Sequence, residues 1–170
     1  MDFKKYITDV PNFPKEGVVF KDITTLLNDP EAFKAVIDEM SQFVKEQGAT
    51  AIVAPEARGF VFASAIAYVT GTKFVLVRKP GKLPRKTNEV EYTLEYGTSK
   101  LQMQQGDLTP NDKVVIVDDI LATGGTIDAI IELIDKEHAE IVGIEFLADI
   151  TELHDKELEK KYKVKSLINY

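Results

Sequence analysis

Apolar positions along the chain follow two different periods. From Pro30 onward, Phe33, Val36, Ile37, Met40, Phe43 and Val44 recur three and four residues apart, a spacing that predicts a helix with one buried face. Asn28 or Asp29 can cap its start and Gly48 can end it. Residues 51–54 form a short unbroken apolar run, as expected of a buried strand. Residues 59–68, small and apolar, read as a second helix, and 73–77 as the next strand. The run VVIV at 114–117 is the clearest buried strand. It leads through a glycine-rich turn into Ile127, Ile130, Ile131 and Ile134, again at helical spacing. Residues 141–150 predict a further strand and 164–168 a short last one. This alternation predicts an α/β fold with a mainly parallel central sheet flanked by helices, whose ligands sit at the carboxyl ends of the strands.

One stretch breaks the pattern. Residues 80–106 show no sustained periodicity, and an irregular segment of that length inside a compact domain is more often a functional loop or hairpin than filler. A flexible flap is expected there. The chain shows no internal repeat and no low-complexity linker, so a single domain over residues 1–170 is expected, with 1–29 as a separate small N-terminal segment.

Composition narrows the classes. Hydrophobic residues make up 44% and charged residues 29%, values that fit neither a disordered chain nor a membrane protein. With 28 acidic and 21 basic side chains the formal charge is −7, which argues against nucleic-acid or anionic-membrane partners. The absence of Cys removes disulfides, thiolate nucleophiles and zinc–thiolate sites. The two isolated histidines, His138 and His154, form no imidazole cluster and read as surface residues. The N-terminal MDFKKYITDV has no apolar export signal, so a cytoplasmic protein is expected.

Candidate chemistry concentrates in VVIVDDILATGGT, residues 114–126. A buried strand runs into two acids, then a turn of small residues, then a helix. Gly124 and Gly125 let backbone N–H groups approach a ligand, and the helix beginning near Thr126 adds its positive dipole end, so the turn can cradle a phosphate. Thr123 and Thr126 supply hydroxyl donors. Asp118 and Asp119 can accept hydrogen bonds from vicinal sugar hydroxyls or help organise a hydrated Mg²⁺. The segment is neither a Walker A loop nor a dinucleotide fingerprint, and a sugar phosphate is the implied ligand. Read alone, TGGT also fits an ordinary strand-to-helix turn.

VVIVDDILATGGT resembles the phosphoribosyl-pyrophosphate motif of the type I phosphoribosyltransferases. FPKEGVVFKDIT (13–24), APEARGF (54–60), RKPGKLP (78–84) and LEYG (94–97) extend the resemblance along nearly the whole chain, toward members acting on purines. The resemblance implies the type I phosphoribosyltransferase fold, with residues 1–29 as a small N-terminal hood and 80–106 as the flap. It implies transfer of a 5-phosphoribosyl group from 5-phospho-α-D-ribose 1-diphosphate (PRPP) to adenine with Mg²⁺, in a homodimer.

By the same resemblance Ala122, Thr123, Gly124, Gly125 and Thr126 would hold the 5-phosphate, and Asp118 and Asp119 the ribose and, in part, the Mg²⁺. Arg58, Arg78, Lys79 and Lys82 would hold the pyrophosphate, and a cis peptide would fall at Glu56–Ala57. Phe20 would stack on the base while backbone groups of Val18, Val19 and Lys21 read its edge, and Glu95 would handle the proton at the purine ring. Taken alone, Val18, Val19 and Phe20 are a short hydrophobic strand, and Glu95 is a loop carboxylate. Residues 78–86 carry five basic side chains and no acid, a local exception to the net negative charge. Two alternatives stay open: an enzyme for xanthine or another purine, and a non-catalytic PRPP-sensing regulator.

Overall fold

The computed structural model describes residues 1–94 and 97–170. Its centre is a seven-stranded sheet in the order β5-β6-β4-β3-β7-β8-β9. The strands are β3 (Ala51–Pro55), β4 (Lys73–Arg78), β5 (Thr87–Thr93), β6 (Thr98–Gln104), β7 (Lys113–Leu121), β8 (Glu140–Asp149) and β9 (Val164–Asn169). β4, β3, β7, β8 and β9 are mutually parallel, while β5 and β6 join the β4 edge antiparallel. A separate hairpin, β1 (Thr8–Pro11) with β2 (Val19–Asp22), forms the hood.

Two layers of helix cover the sheet because its central strands are apolar on both sides. Ile52 and Ala54 of β3, with Val115 and Val117 of β7, face α2 (Pro30–Glu46) and α3 (Arg58–Thr70). Ala51, Val53, Val114 and Ile116 point the other way, toward α4 (Gly125–Lys136). α2 begins where expected: Asp29 is its N-cap, its Oδ1 accepting from Glu31 N–H at 3.1 Å and Ala32 N–H at 2.9 Å, and Pro30 opens the first turn. A short helix α1 (Thr24–Leu27) seats Ile23 and Leu26 in the core and so ties the hood to the body. A further short helix, α5 (Glu157–Lys161), precedes β9.

Three expectations are refined. β7 does not end at Val117 but runs through both aspartates to Leu121, because β8 pairs with it as far as Leu121 opposite Asp149. The irregular stretch contains a regular hairpin: β5 and β6 pair over seven positions, with Val90, Leu101 and Met103 buried against the α4 side. Its alternation, Val90–Glu91–Tyr92 and Leu101–Gln102–Met103, is present in the sequence but short in each strand. His154, read as a surface residue, has a buried side chain with its Nε2 2.6 Å from Asp149 Oδ1. His138 is exposed, at a left-handed φ of 60°.

Candidate active site

β3 and β7 are adjacent and parallel, yet the chain leaves β3 toward β4 and leaves β7 toward β8. Their carboxyl ends are therefore a topological switch point, the place where an open α/β sheet leaves a crevice. α3 starts beyond β3 and α4 beyond β7, on opposite faces of the sheet. Neither N-terminus is capped by a side chain among the described residues. Two sets of free N–H groups, each at a positive dipole end, thus meet over one opening.

The opening is a cleft of about 380 Å³ whose lining includes Glu56, Arg58, Lys79, Asp118, Asp119 and Thr126. Arg58, the first residue of α3, places its Nε 2.7 Å from Asp119 Oδ2, and its guanidinium lies 5.0 Å from the centre of the Phe20 ring. One side chain thereby links the acid pair to the hood. The Asp119 N–H donates to Asp118 Oδ1 at 2.8 Å. Loss of water around it, and then the neighbouring Asp119, push the Asp118 carboxyl well above the usual carboxylate range.

The approach of α3 to β7 is close. A Cβ on Gly59 would lie 2.9 Å from Asp118 Oδ1 and 3.1 Å from Pro55 Cδ, so only glycine fits there. The Glu56–Ala57 peptide that leads into α3 is cis. Glu56 accepts from the Lys79 N–H at 2.7 Å and from Arg78 Nε at 3.2 Å. Burial acts to raise its carboxyl, but these partners outweigh burial and hold it below the ordinary value.

The other turn is open. Asp118, Ala122, Thr123, Gly124 and Thr126 line a recess of about 80 Å³. Gly124 holds φ at +91°, a left-handed conformation that glycine alone adopts without strain, and among the described residues nothing lies within 4 Å of where its Cβ would be. At Gly125, among the described residues, a Cβ would meet only Tyr92, at 3.9 Å. Gly125 lines a neighbouring cavity with Tyr92, Thr93, Leu94, Thr123 and Thr126.

The structure thus brings Arg58, Lys79, Asp118, Asp119 and Thr126 around one cleft, with Ala122, Thr123, Gly124 and Gly125 at its margin. Arg78 and Lys82 do not line it, and Arg78 is engaged with Glu56. Arg85, from the same basic run, pairs with Asp107. In the hood, Phe20 packs edge-to-face on Phe13 with ring centres 5.1 Å apart, beside a recess of about 270 Å³ lined by Val10, Phe13, Phe20 and Asp22. The Val18 backbone already serves the hairpin loop, its N–H donating to Lys15 O and its carbonyl accepting from Phe13 N–H. The Lys21 side chain turns away to Asp9, at 2.8 Å, and the Tyr170 ring. Glu95 lies outside the described residues. Sequence reasoning missed Gly59, whose need is steric, and Tyr92, whose place on the cleft wall follows from the β5–β6 pairing.

A phosphate-sized recess beside a cleft that sets Arg58 and Lys79 against an acid pair, all at the switch point of the sheet, is the arrangement a sugar-phosphate transferase needs. The chain belongs to the phosphoribosyltransferase family: residues 22–170 match the model of the phosphoribosyl transferase domain. It is 58% identical over 170 residues, the whole of both chains, to the adenine phosphoribosyltransferase of Mesoplasma florum. It is 48% identical, again over the whole of both chains, to that of Pseudothermotoga lettingae. The crystal structure of adenine phosphoribosyltransferase from Thermoanaerobacter pseudethanolicus superposes with a TM-score of 0.94 at 43% identity, covering 99% of this chain and 98% of that one. The Saccharomyces cerevisiae enzyme, complexed with an imino-altritol bisphosphate and adenine, gives a TM-score of 0.90 at 34% identity over 97% and 96% of the two chains. No helix among the described residues is long and apolar enough to cross a membrane.

Proposed function

We propose that this chain transfers the 5-phosphoribosyl group of PRPP to N9 of adenine, releasing diphosphate and forming AMP. The observation that carries this reading is the meeting of two uncapped helix N-termini over one cleft with an acid pair between them. Relatives named as adenine phosphoribosyltransferases supply the base.

The 5-phosphate occupies the recess at Ala122, Thr123 and Gly124. It accepts from the free N–H groups at the start of α4 and from the hydroxyls of Thr123 and Thr126. Asp118 and Asp119 meet the ribose hydroxyls, their carboxyl oxygens accepting from the vicinal OH groups. The diphosphate lies toward Arg58 and Lys79, with Arg78 and Lys82 drawn in from the adjoining turn. As the C1–oxygen bond to diphosphate breaks, positive charge spreads over C1 and the ring oxygen. The acid pair stabilises that charge, and closure of the 80–106 flap excludes water. N9 then bonds to C1, and its proton passes to Glu95, whose neighbour Leu94 lines the cavity shared with Thr123, Gly125 and Thr126. Phe20 stacks on the purine, while hood backbone carbonyls at Val19 and Lys21 suit the 6-amino donor of adenine.

The donor set fits a Mg²⁺ carried by the substrate rather than a resident metal. Asp119 is already neutralised by Arg58, and no cluster of three ligating side chains occurs among the described residues. Asp118 and Asp119 would hold it through its waters, and the ion would supply charge neutralisation to the departing diphosphate. A homodimer fits the outer face of α3, where Val61, Val69 and Tyr68, the last 91% exposed, form an apolar stripe that a second copy would cover.

The test is pyrophosphate release with PRPP, Mg²⁺ and, in turn, adenine, hypoxanthine, guanine and xanthine. Release with adenine is expected. Silence with all four overturns the reading, and release with another base alone overturns the base assignment.

A further inference from the structure

We propose that His154 is a positioning residue for the 5-phosphate loop, acting through Asp149 and the strap of residues 150–162; the inference rests on the reading of that loop given above. Thr123 and Gly124 line two cavities: the recess of about 80 Å³, shared with Asp118, Ala122 and Thr126, and a second of about 140 Å³, shared with α4 and the strap. A loop bordered by open space takes its position from whatever closes that space. Here that is the strap: His154, Leu158, Lys161 and Tyr162 form the far wall.

The strap is tied at His154. Its Nε2 is 2.6 Å from Asp149 Oδ1, and its Nδ1 lies 3.2 Å from the Lys156 backbone N, which can only donate. With Nδ1 accepting from the Lys156 N–H, Nε2 is the ring nitrogen left to donate to the carboxylate. Lys156 holds φ at +61°, so the bond from its N–H to His154 fixes the strap at a conformation a lysine rarely adopts. Asp149 ends β8 directly opposite Leu121, and the Ile150 N–H donates to Leu121 O at 2.9 Å. Leu121 is the residue before Ala122. The path from the imidazole to the loop therefore runs through two hydrogen bonds and one pair of strand ends.

The side chains of His154 and Asp149 are 6% and 5% exposed. Removing the imidazole leaves a buried carboxylate without its donor, so the strap must part to admit water. The far wall of the cavity then recedes and the loop loses its fixed pose. A phosphate held by backbone N–H groups is sensitive to such a shift.

The test is steady-state kinetics of full-length His154→Ala, His154→Gln and His154→Asn, with calorimetric AMP binding and thermal melts alongside. Glutamine can place an amide N–H near the position of Nε2. Asparagine keeps the acceptor for Lys156 but falls short of Asp149. For His154→Ala we expect KM for PRPP to rise about tenfold with kcat and KM for adenine within about twofold, and AMP affinity to fall in parallel. The glutamine variant should recover most of that loss and the asparagine variant little. An unchanged KM for PRPP in a folded alanine variant overturns the proposal, as does a glutamine variant no better than asparagine. If the alanine variant does not fold, the glutamine–asparagine pair decides alone. Silence of the wild-type protein in both assays overturns the reading of the loop and this inference with it, whereas an active wild type beside an unchanged alanine variant overturns the inference alone.

Discussion

The two turns that meet at the cleft solve the same problem in opposite ways. Each carries the chain from a parallel strand into a helix whose first N–H groups are left free. The β3–α3 turn is finished by the protein itself: Gly59 lies hard against Asp118 and Pro55, Arg58 is bound to Asp119, and Glu56 holds the Lys79 backbone. The β7–α4 turn is unfinished, since among the described residues no side chain caps α4 and nothing lies within 4 Å of the Gly124 Cβ position. The first turn is preorganised and charged, whereas the second is a backbone mould that a ligand completes. A substitution in the first should therefore damage the free protein and its chemistry together, and one in the second should damage binding.

The largest effect is expected at Gly59. A methyl group there must displace the Asp118 carboxylate from the Asp119 N–H or push Pro55 out of β3. Overpacking of this kind costs about 1–3 kcal/mol. Gly59→Ala should lower the melting temperature and reduce kcat by about a hundredfold, because the acid pair loses its alignment at the reacting carbon. Normal kcat in a folded Gly59→Ala protein would break the comparison at its first member.

The second test is Gly124→Ala. Its Cβ meets nothing, so the cost is the left-handed backbone alone, about 1–2 kcal/mol. KM for PRPP should rise about tenfold while kcat at saturating donor stays within about threefold. A fall in kcat matching that of Gly59→Ala would show that the two turns do not differ in kind.

What the sequence disclosed follows the same division. The 114–126 motif names its own residues because a phosphate mould is built from backbone, and glycines and threonines in series are its visible trace. Arg58 and Lys79 could be placed only by resemblance, since their meeting with Asp119 and Thr126 depends on strands β3, β4 and β7 lying side by side. β7 outruns its apolar letters because its length is set by pairing with β8, not by the aspartates' own preference. The β5–β6 hairpin alternates in the sequence, Val90 and Tyr92 between polar neighbours and Leu101 and Met103 likewise, but each run has only two apolar positions and does not stand out from a loop. His154 was read as surface because its partner, Asp149, sits across a turn that carries no motif.

The smallest effect on activity, and the sharpest control, belongs to Glu145. Like Asp118 it is a covered carboxyl in the central sheet, on β8, but it faces α2 rather than the cleft, and neither of its oxygens has a hydrogen-bond partner among the described residues. Burial first raises its pKa from 4.5 to about 9; Lys165 opposes that shift and Glu39 adds to it. The folded chain therefore keeps a proton that the unfolded chain releases. Its stabilising contribution is complete below pH 4.5 and is lost progressively as the pH rises toward 9. Glu145→Gln, neutral at every pH, removes that loss. It should raise stability at pH 8 by up to about 5 kcal/mol, leave it nearly unchanged at pH 4, and leave kcat and both KM values as they were. Denaturant melts at the two pH values measure the first two outcomes. If the variant instead loses activity, an uncommon protonation state anywhere in the sheet would suffice to affect the chemistry. The special standing of Asp118 would then rest on something other than its contact with Gly59 and Asp119 at the mouth of the cleft.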